Sequence, residues 1–232
     1  MSIIVNLDNI SFSYSKKNSL IEDFSLKIES EKIYCLLGEN GVGKSTLLKL
    51  ISGVESPIKG SVLIEGMDYE NDYFAIKENL LAFINEPSFY SHLSASDNLR
   101  ILCKYRNLPE HGIEEALDFA ELRDHKTKFG KFSSGMKQRI LLAIIYLVDS
   151  KLLLLDEPFS NLDPKIAIKF REFLIRLKNE NKSTIILSSH NIREMSTISD
   201  YFVFINNGKL IEVVENTGDI DDIEKRILAM YL

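Results

Sequence analysis

Residues Gly38-Glu39-Asn40-Gly41-Val42-Gly43-Lys44-Ser45-Thr46 fit G-x-x-x-x-G-K-[ST] in full, the pattern of a loop that wraps phosphate groups. The glycines let the backbone approach an anion closely, and a helix starting at Ser45 presents unpaired N–H groups and the positive end of its dipole. Lys44 would reach the β and γ phosphates as a point charge, and the Ser45 hydroxyl would ligate Mg²⁺. Far along the chain, Leu152-Leu153-Leu154-Leu155 runs straight into Asp156 and Glu157. Two carboxylates ending an apolar strand are costly unless the strand opens onto a cation or a site. Neighbours on an extended strand point to opposite sides. That alternation assigns Asp156 to the metal, largely through water, and Glu157 to polarising an attacking water, with Pro158 stopping the strand.

The surrounding pattern supplies elements to hold these groups. Ile33 to Leu37 is an apolar run of strand length, and Ser45 to Ile51 continues as a helix with leucines at 47, 48 and 50, so the loop lies between strand and helix. Before it, Ile3 to Leu7, Ile10 to Tyr14 and Phe24 to Ile28 read as three short strands of an antiparallel sheet beside the loop strand. Phe12 and Tyr14 share one face by the two-residue period, and either could stack on a nucleotide base. Pro57, Gly60 and Gly66 punctuate a further strand at Ser61 to Glu65. From about 92 to 135 the pattern turns helical: Ser94 can cap a helix through Leu99, Ile101 and Leu102 with Asp97 at its third position, and Ile113 to Leu122 repeats apolar residues at helical spacing. Strands resume at Leu152, Thr184 and Tyr201, alternating with helical stretches near 165–179 and 191–198. That alternation predicts parallel strands with crossover helices.

Composition narrows the classes. A chain of 232 residues, 45% hydrophobic, can bury one large core with a satellite lobe. Its net charge of −6 comes from interspersed acidic and basic residues without a basic block, which argues against nucleic acid as a partner. Cys35 and Cys103 have neither metal-ligand spacing nor disulfide density, and a reducing cytoplasm suits both. The first residues look like a strand and not a signal peptide, and no apolar run approaches membrane-spanning length. Any membrane role is therefore expected to come through a partner.

Three further motifs carry a family resemblance. Phe132-Ser133-Ser134-Gly135-Met136-Lys137-Gln138-Arg139 is similar to the signature, usually L-S-G-G-Q, of the ATP-binding subunits of ATP-binding cassette (ABC) transporters. Ser160-Asn161-Leu162-Asp163 resembles the family's D-loop, and Leu187-Ser188-Ser189-His190 its switch histidine. With the phosphate loop and the Leu152–Glu157 stretch, five elements agree in order and spacing along essentially the whole chain. The resemblance implies an α/β P-loop NTPase core of ABC type, with an antiparallel β subdomain and a helical subdomain inserted at about 86–140, all within a single ATP-binding domain over 1–232. It implies ATP and Mg²⁺ as ligands. It also implies a homodimer or heterodimer with a second ABC ATPase protomer, ATP lying between one protomer's phosphate loop and the other's signature residues Ser133, Ser134, Gly135 and Met136. Physically, Ser133 and the Gly135 N–H at a helix start would offer donors to the γ-phosphate. In the same reading His190 holds the γ-phosphate or the water, Asp163 communicates across the interface, and Tyr14 stacks on adenine. His92, His111 and His125 match nothing functional and are expected on the surface.

Two positions depart from the usual pattern. Asn85 stands where the Q-loop glutamine is expected; it is one methylene shorter, so its contact with Mg²⁺ or water is the open point, and Glu86 could substitute in part. Ser134 replaces the first signature glycine and restricts the backbone there. The loop with Pro87-Ser88-Phe89-Tyr90, and Ser134-Gly135-Met136, resemble the bacitracin-resistance and lantibiotic-immunity exporter type. That favours export of a peptide, antibiotic or lipid over nutrient import, and the absence of a sizeable C-terminal extension is compatible with it. The acidic stretch from Glu215 to Asp222 reads as a solvated turn before an amphipathic helix at Ile223 to Leu232. The expected protein is an ATP-hydrolysing subunit at the cytoplasmic face of a membrane, bound to a separate transmembrane permease subunit through the helical lobe and the Asn85 loop. The alternative is a soluble ABC-type ATPase driving assembly, such as an iron–sulfur cluster scaffold subunit.

Overall fold

The computed structural model describes residues 2–15, 19–84, 89–122 and 127–230, the side chains only as far as 226. The chain falls into two compact units. The first comprises Met1–Ile84, Lys151–Pro158 and Leu174–Leu232; the second comprises Asn85–Ser150 and Phe159–Phe173.

In the first unit, β1 (Ile3–Phe12), β2 (Ile21–Glu29) and β4 (Lys59–Ile64) form an antiparallel sheet in the order β2-β1-β4. The two N-terminal strands read from the sequence are one. The pairing with β2 shifts register between Leu7 and Ile10, and Asn9 takes φ 47° there. A bulge absorbs the polar pair Asp8-Asn9 without ending the strand, and the Ser25 hydroxyl accepts the Asn9 N–H at 2.9 Å.

The larger sheet collects β3 (Ile33–Leu37), β5 (Leu80–Phe83), β6 (Leu152–Leu155), β7 (Thr184–Ser188), β8 (Tyr201–Asn206) and β9 (Lys209–Glu215) in the order β5-β6-β7-β3-β8-β9. The first five are mutually parallel, with helices in the connections, as the alternation predicts. Strands β3, β6 and β7 are buried along their whole length, which explains why β3 and β6 read as unbroken apolar runs. Each such side chain contributes about 1.5–3 kcal/mol on leaving water. The sequence reading passed over β9, although Asn207-Gly208 announces it: both residues have positive φ, 48° and 72°, as a two-residue hairpin turn demands. Helices α1 (Lys44–Ile51), α2 (Tyr73–Asn79), α7 (Ile192–Met195) and α8 (Ile220–Met230), with the last part of α6 (Pro164–Glu180) from Leu174 on, complete this unit.

The second unit is helical: α3 (Ala95–Arg106), α4 (Ile113–Phe119), α5 (Ser134–Leu147) and the first part of α6 (Pro164–Glu180). Ser94 caps α3 as expected, its hydroxyl accepting the Asp97 N–H at 3.1 Å and donating to Asp97 Oδ2 at 2.7 Å. Phe119, Tyr146 and Phe173 pack their rings together with centroids 4.8–6.0 Å apart. His92 and His111 are exposed, whereas His125 lies outside the described residues.

Candidate functional site

Parallel pairing explains why residues distant in sequence meet. Strands β3, β6 and β7 end on the same edge of the sheet, with β7 between the other two. Beyond that edge β3 continues into the glycine-rich loop, β6 into Asp156 and Glu157, and β7 into Ser189 and His190.

The loop reaches α1 through Gly41 (φ 83°) and Gly43 (φ 111°), conformations that other residues rarely adopt. A Cβ on Gly43 would also stand 2.7 Å from the Ile21 side chain. Gly43 is the N-cap of α1 and no side chain caps the helix, so the first-turn N–H groups face the loop as an anion site. Lys44 is buried, and its Nζ donates to the carbonyls of Gly38 (2.7 Å) and Glu39 (3.0 Å). Burial pulls its pKa down, while the charges of Glu157 and Asp156 work in the opposite sense. A cleft of about 240 Å³ is lined by Asn40, Gly41, Lys44, Ser45, Asp156 and Glu157 among others. Ser45 and Asp156 offer it hydroxyl and carboxylate oxygens, the donor chemistry that Mg²⁺ takes.

The two carboxylates reach this cleft for a reason the alternation argument lacked. Strand β6 stops at Leu155, and Glu157 adopts φ 46°. A left-handed turn, not strand pleating, sets their directions; such a non-glycine residue costs about 1–3 kcal/mol and persists only where its surroundings fix it. Ser188 is that surrounding. Its hydroxyl donates to Asp156 Oδ1 at 2.6 Å and accepts the Glu157 N–H at 2.9 Å. Sequence reasoning gave Ser188 no role, yet the pairing of Leu155 with Leu187 puts the next residues, Asp156 and Ser188, side by side. His190 Nδ1 lies 3.0 Å from Glu157 Oε2. A carboxylate only accepts, so Nδ1 carries the proton in that bond, and the ring, 72% exposed, extends to solvent.

Of the two aromatics, Phe12 is buried and Tyr14 is 57% exposed, standing edge-on to Phe12 with centroids 4.8 Å apart. The Tyr14 hydroxyl lies 3.4 Å from Thr46 Oγ1 and accepts from Lys49 Nζ at 3.4 Å, which sets the ring beside the first turns of α1.

The signature residues belong to the second unit. Ser133 is the N-cap of α5, its hydroxyl accepting the Met136 N–H at 3.2 Å. That bond uses an acceptor lone pair of the hydroxyl and leaves its O–H as a donor, while the Ser134 and Gly135 N–H groups fall in the first turn, where no intrahelical partner exists. Asp163 accepts the Ile166 N–H at the start of α6 through Oδ1 (3.1 Å) and forms an ion pair with Arg139 through Oδ2. The Ile166 N–H bond is the first cause of its depressed pKa, with Arg139 adding to it. Asn85, assigned to the metal, and Glu86 lie outside the described residues. Among the described residues no helix is long and apolar enough to cross a membrane.

Comparison with known proteins identifies the family. A family model described as "ABC transporter" matches residues 21–160. The bacitracin transport ATP-binding protein BcrA of Enterococcus faecalis is 34% identical over 228 residues, 97% of this chain and 72% of that protein. The lantibiotic transport ATP-binding protein SrtF of Streptococcus pyogenes is 34% identical over 216 residues, covering 93% of this chain and 92% of its own length. Among solved structures, an ATP-binding subunit of an ABC transporter superposes with a TM-score of 0.84 at 25% identity, over 96% of this chain and 92% of that one. The chain therefore belongs to the ABC transporter family, as an ATP-binding subunit with the family's ATPase fold.

Proposed function

We propose that this subunit hydrolyses Mg²⁺-bound ATP to drive export of a peptide, antibiotic or lipid through a separate membrane subunit. The observation carrying the chemistry is the convergence of Lys44, Ser45, Asp156 and Glu157 on one cleft, at the uncapped start of α1. Tyr14 offers its exposed ring to the adenine. Residues Gly38 to Thr46 cradle the phosphates, Lys44 exchanging its two carbonyl partners for phosphate oxygens. Ser45 and Asp156, with Asn85, would hold Mg²⁺, which neutralises charge on the phosphates when bound. Glu157 accepts the proton of the attacking water, and His190, fastened to its carboxylate, orients that water and the γ-phosphate. Ser133, Ser134, Gly135, Met136 and Asp163 would meet the nucleotide of a second protomer, homologous or identical, so that ATP closes the pair and hydrolysis releases it. Docking of the permease would fall to the helical lobe and the Asn85 loop, at the cytoplasmic face. Transport of a peptide antibiotic is supported by the names of the two relatives, and the export direction by the likeness of Ser134-Gly135-Met136 to the exporter type.

Two variants test the reading. Glu157→Gln is expected to keep ATP affinity, to slow hydrolysis by about 10²-fold or more, and to accumulate an ATP-bound dimer on size exclusion. Lys44→Ala is expected to lose nucleotide binding. Normal turnover in either variant refutes the assignment.

A further inference from the structure

A cluster of charges in the second unit ties Asp163 to three residues that have no role above, Arg139, Glu121 and Lys165. Arg139, on the second turn of α5, forms its ion pair with Asp163, and its other nitrogen, Nη1, lies 4.0 Å from Glu121 Oε2. The same Nη1 donates to the Glu121 carbonyl at 3.5 Å, and Lys165 Nζ reaches Glu121 Oε1 at 2.8 Å. Arg139 thus stands between two acids, one at the start of α6 and one just past the end of α4. The backbone repeats the connection: a Cβ on Gly135 would stand 3.2 Å from the Asn161 carbonyl, and Asn161 holds φ 59°. The loop 160–163 is therefore pressed against the first turn of α5 and fastened there by the guanidinium of Arg139, a side chain 26% exposed.

We infer that Arg139 is a positioning residue, which locks the loop 160–163 to the N-terminus of α5 so that both are presented to a nucleotide as one rigid surface. The inference rests on the proposed function, in which Ser133 to Met136 and Asp163 face the same nucleotide. Arg139 acts through Asp163, whose Oδ1 starts α6 while its Oδ2 is held. An arginine suits this task because its fork reaches two acceptors in fixed directions, which a lysine cannot do. Residues in one ion-pair network couple, whereas distant ones add.

The test measures steady-state MgATP hydrolysis and nucleotide affinity of the full chain carrying Arg139→Gln, Asp163→Asn or both, with Arg139→Lys as the conservative variant. Asparagine keeps an oxygen for the Ile166 N–H, so that substitution removes the charge and spares the cap. Each single variant is expected to lower kcat about tenfold with Kd for ATP changed by less than about twofold. The double variant should be no slower than the slower single, with Arg139→Lys intermediate. Additive losses in the double variant, an unchanged kcat in Arg139→Gln, or equal changes in Kd and kcat would overturn the inference. Should Arg139→Gln fail to fold, a wild-type kcat in soluble Asp163→Asn or Arg139→Lys overturns it equally. A wild-type chain that binds ATP without turning it over defeats the proposed function along with this inference; normal wild-type turnover with additive variants defeats this inference alone.

Discussion

Glu157 shows how one residue's backbone can matter as much as its carboxylate. Its left-handed φ of 46° is held from outside by Ser188, which is wholly buried and bonds both to the Glu157 N–H and to Asp156. Ser188→Ala leaves that N–H without its acceptor, a loss of about 1–3 kcal/mol, and frees Asp156 to turn. We expect the variant to melt lower and to hydrolyse ATP about tenfold more slowly, with nucleotide affinity kept because the glycine-rich loop is untouched. Calorimetry and a Michaelis analysis check this; a wild-type melting temperature and rate would remove Ser188 from the site. Lys44, Asp156 and Glu157 were legible in the sequence because each sits in a motif whose chemistry demands its type, and His190 was legible through the family resemblance alone. Ser188 was not, because its role depends on which strands pair and in what register.

Among the elements, α3 gives the clearest link between sequence and stability. Ser94 and Asp97 form a cap readable from the sequence alone, and Ser94→Ala is expected to cost about 0.5–2 kcal/mol. The Ser94 hydroxyl, followed by Arg100, holds the Asp97 carboxyl below the usual carboxylate range. A group depressed in the fold stabilises fully above its unfolded pKa of about 3.9. That contribution is lost as pH falls through the lower folded value, because the unfolded chain takes up the proton first. Asp97→Asn should therefore flatten the acid limb of stability relative to wild type, as followed by urea unfolding between neutral pH and pH ~3. Identical acid limbs would show that the carboxylate contributes nothing to the cap. Other elements were less legible. The bulge at Asn9 joins what reads as two strands into one, because a polar pair that signals a turn in isolation can be absorbed by a partner strand. At the edge of the larger sheet, β9 carries an exposed pattern with little hydrophobic periodicity, so only its Asn-Gly turn announces it.

At the scale of the whole molecule, the transporter reading requires a partner that spans the membrane. Glu157→Gln, tagged in its native cell and purified with ATP from detergent-solubilised membranes, should carry a multi-span membrane protein in stoichiometric amount, identified by mass spectrometry. Recovery only with soluble scaffold proteins would replace export with an assembly ATPase while leaving the nucleotide site intact. The sequence by itself determined the phosphate loop, the acidic end of β6, the signature and the family to which they belong, because these are contiguous strings whose spacing along the chain is their geometry. Tertiary structure decided what is not contiguous. The order β6-β7-β3 set Ser188 against Asp156 and Glu157, and the packing of α5 against the loop 160–163 joined Arg139 to Asp163. It also gathered residues 159–173 into the helical unit, since neighbours across a sheet or between helices are chosen by how apolar faces pack and not by distance along the chain.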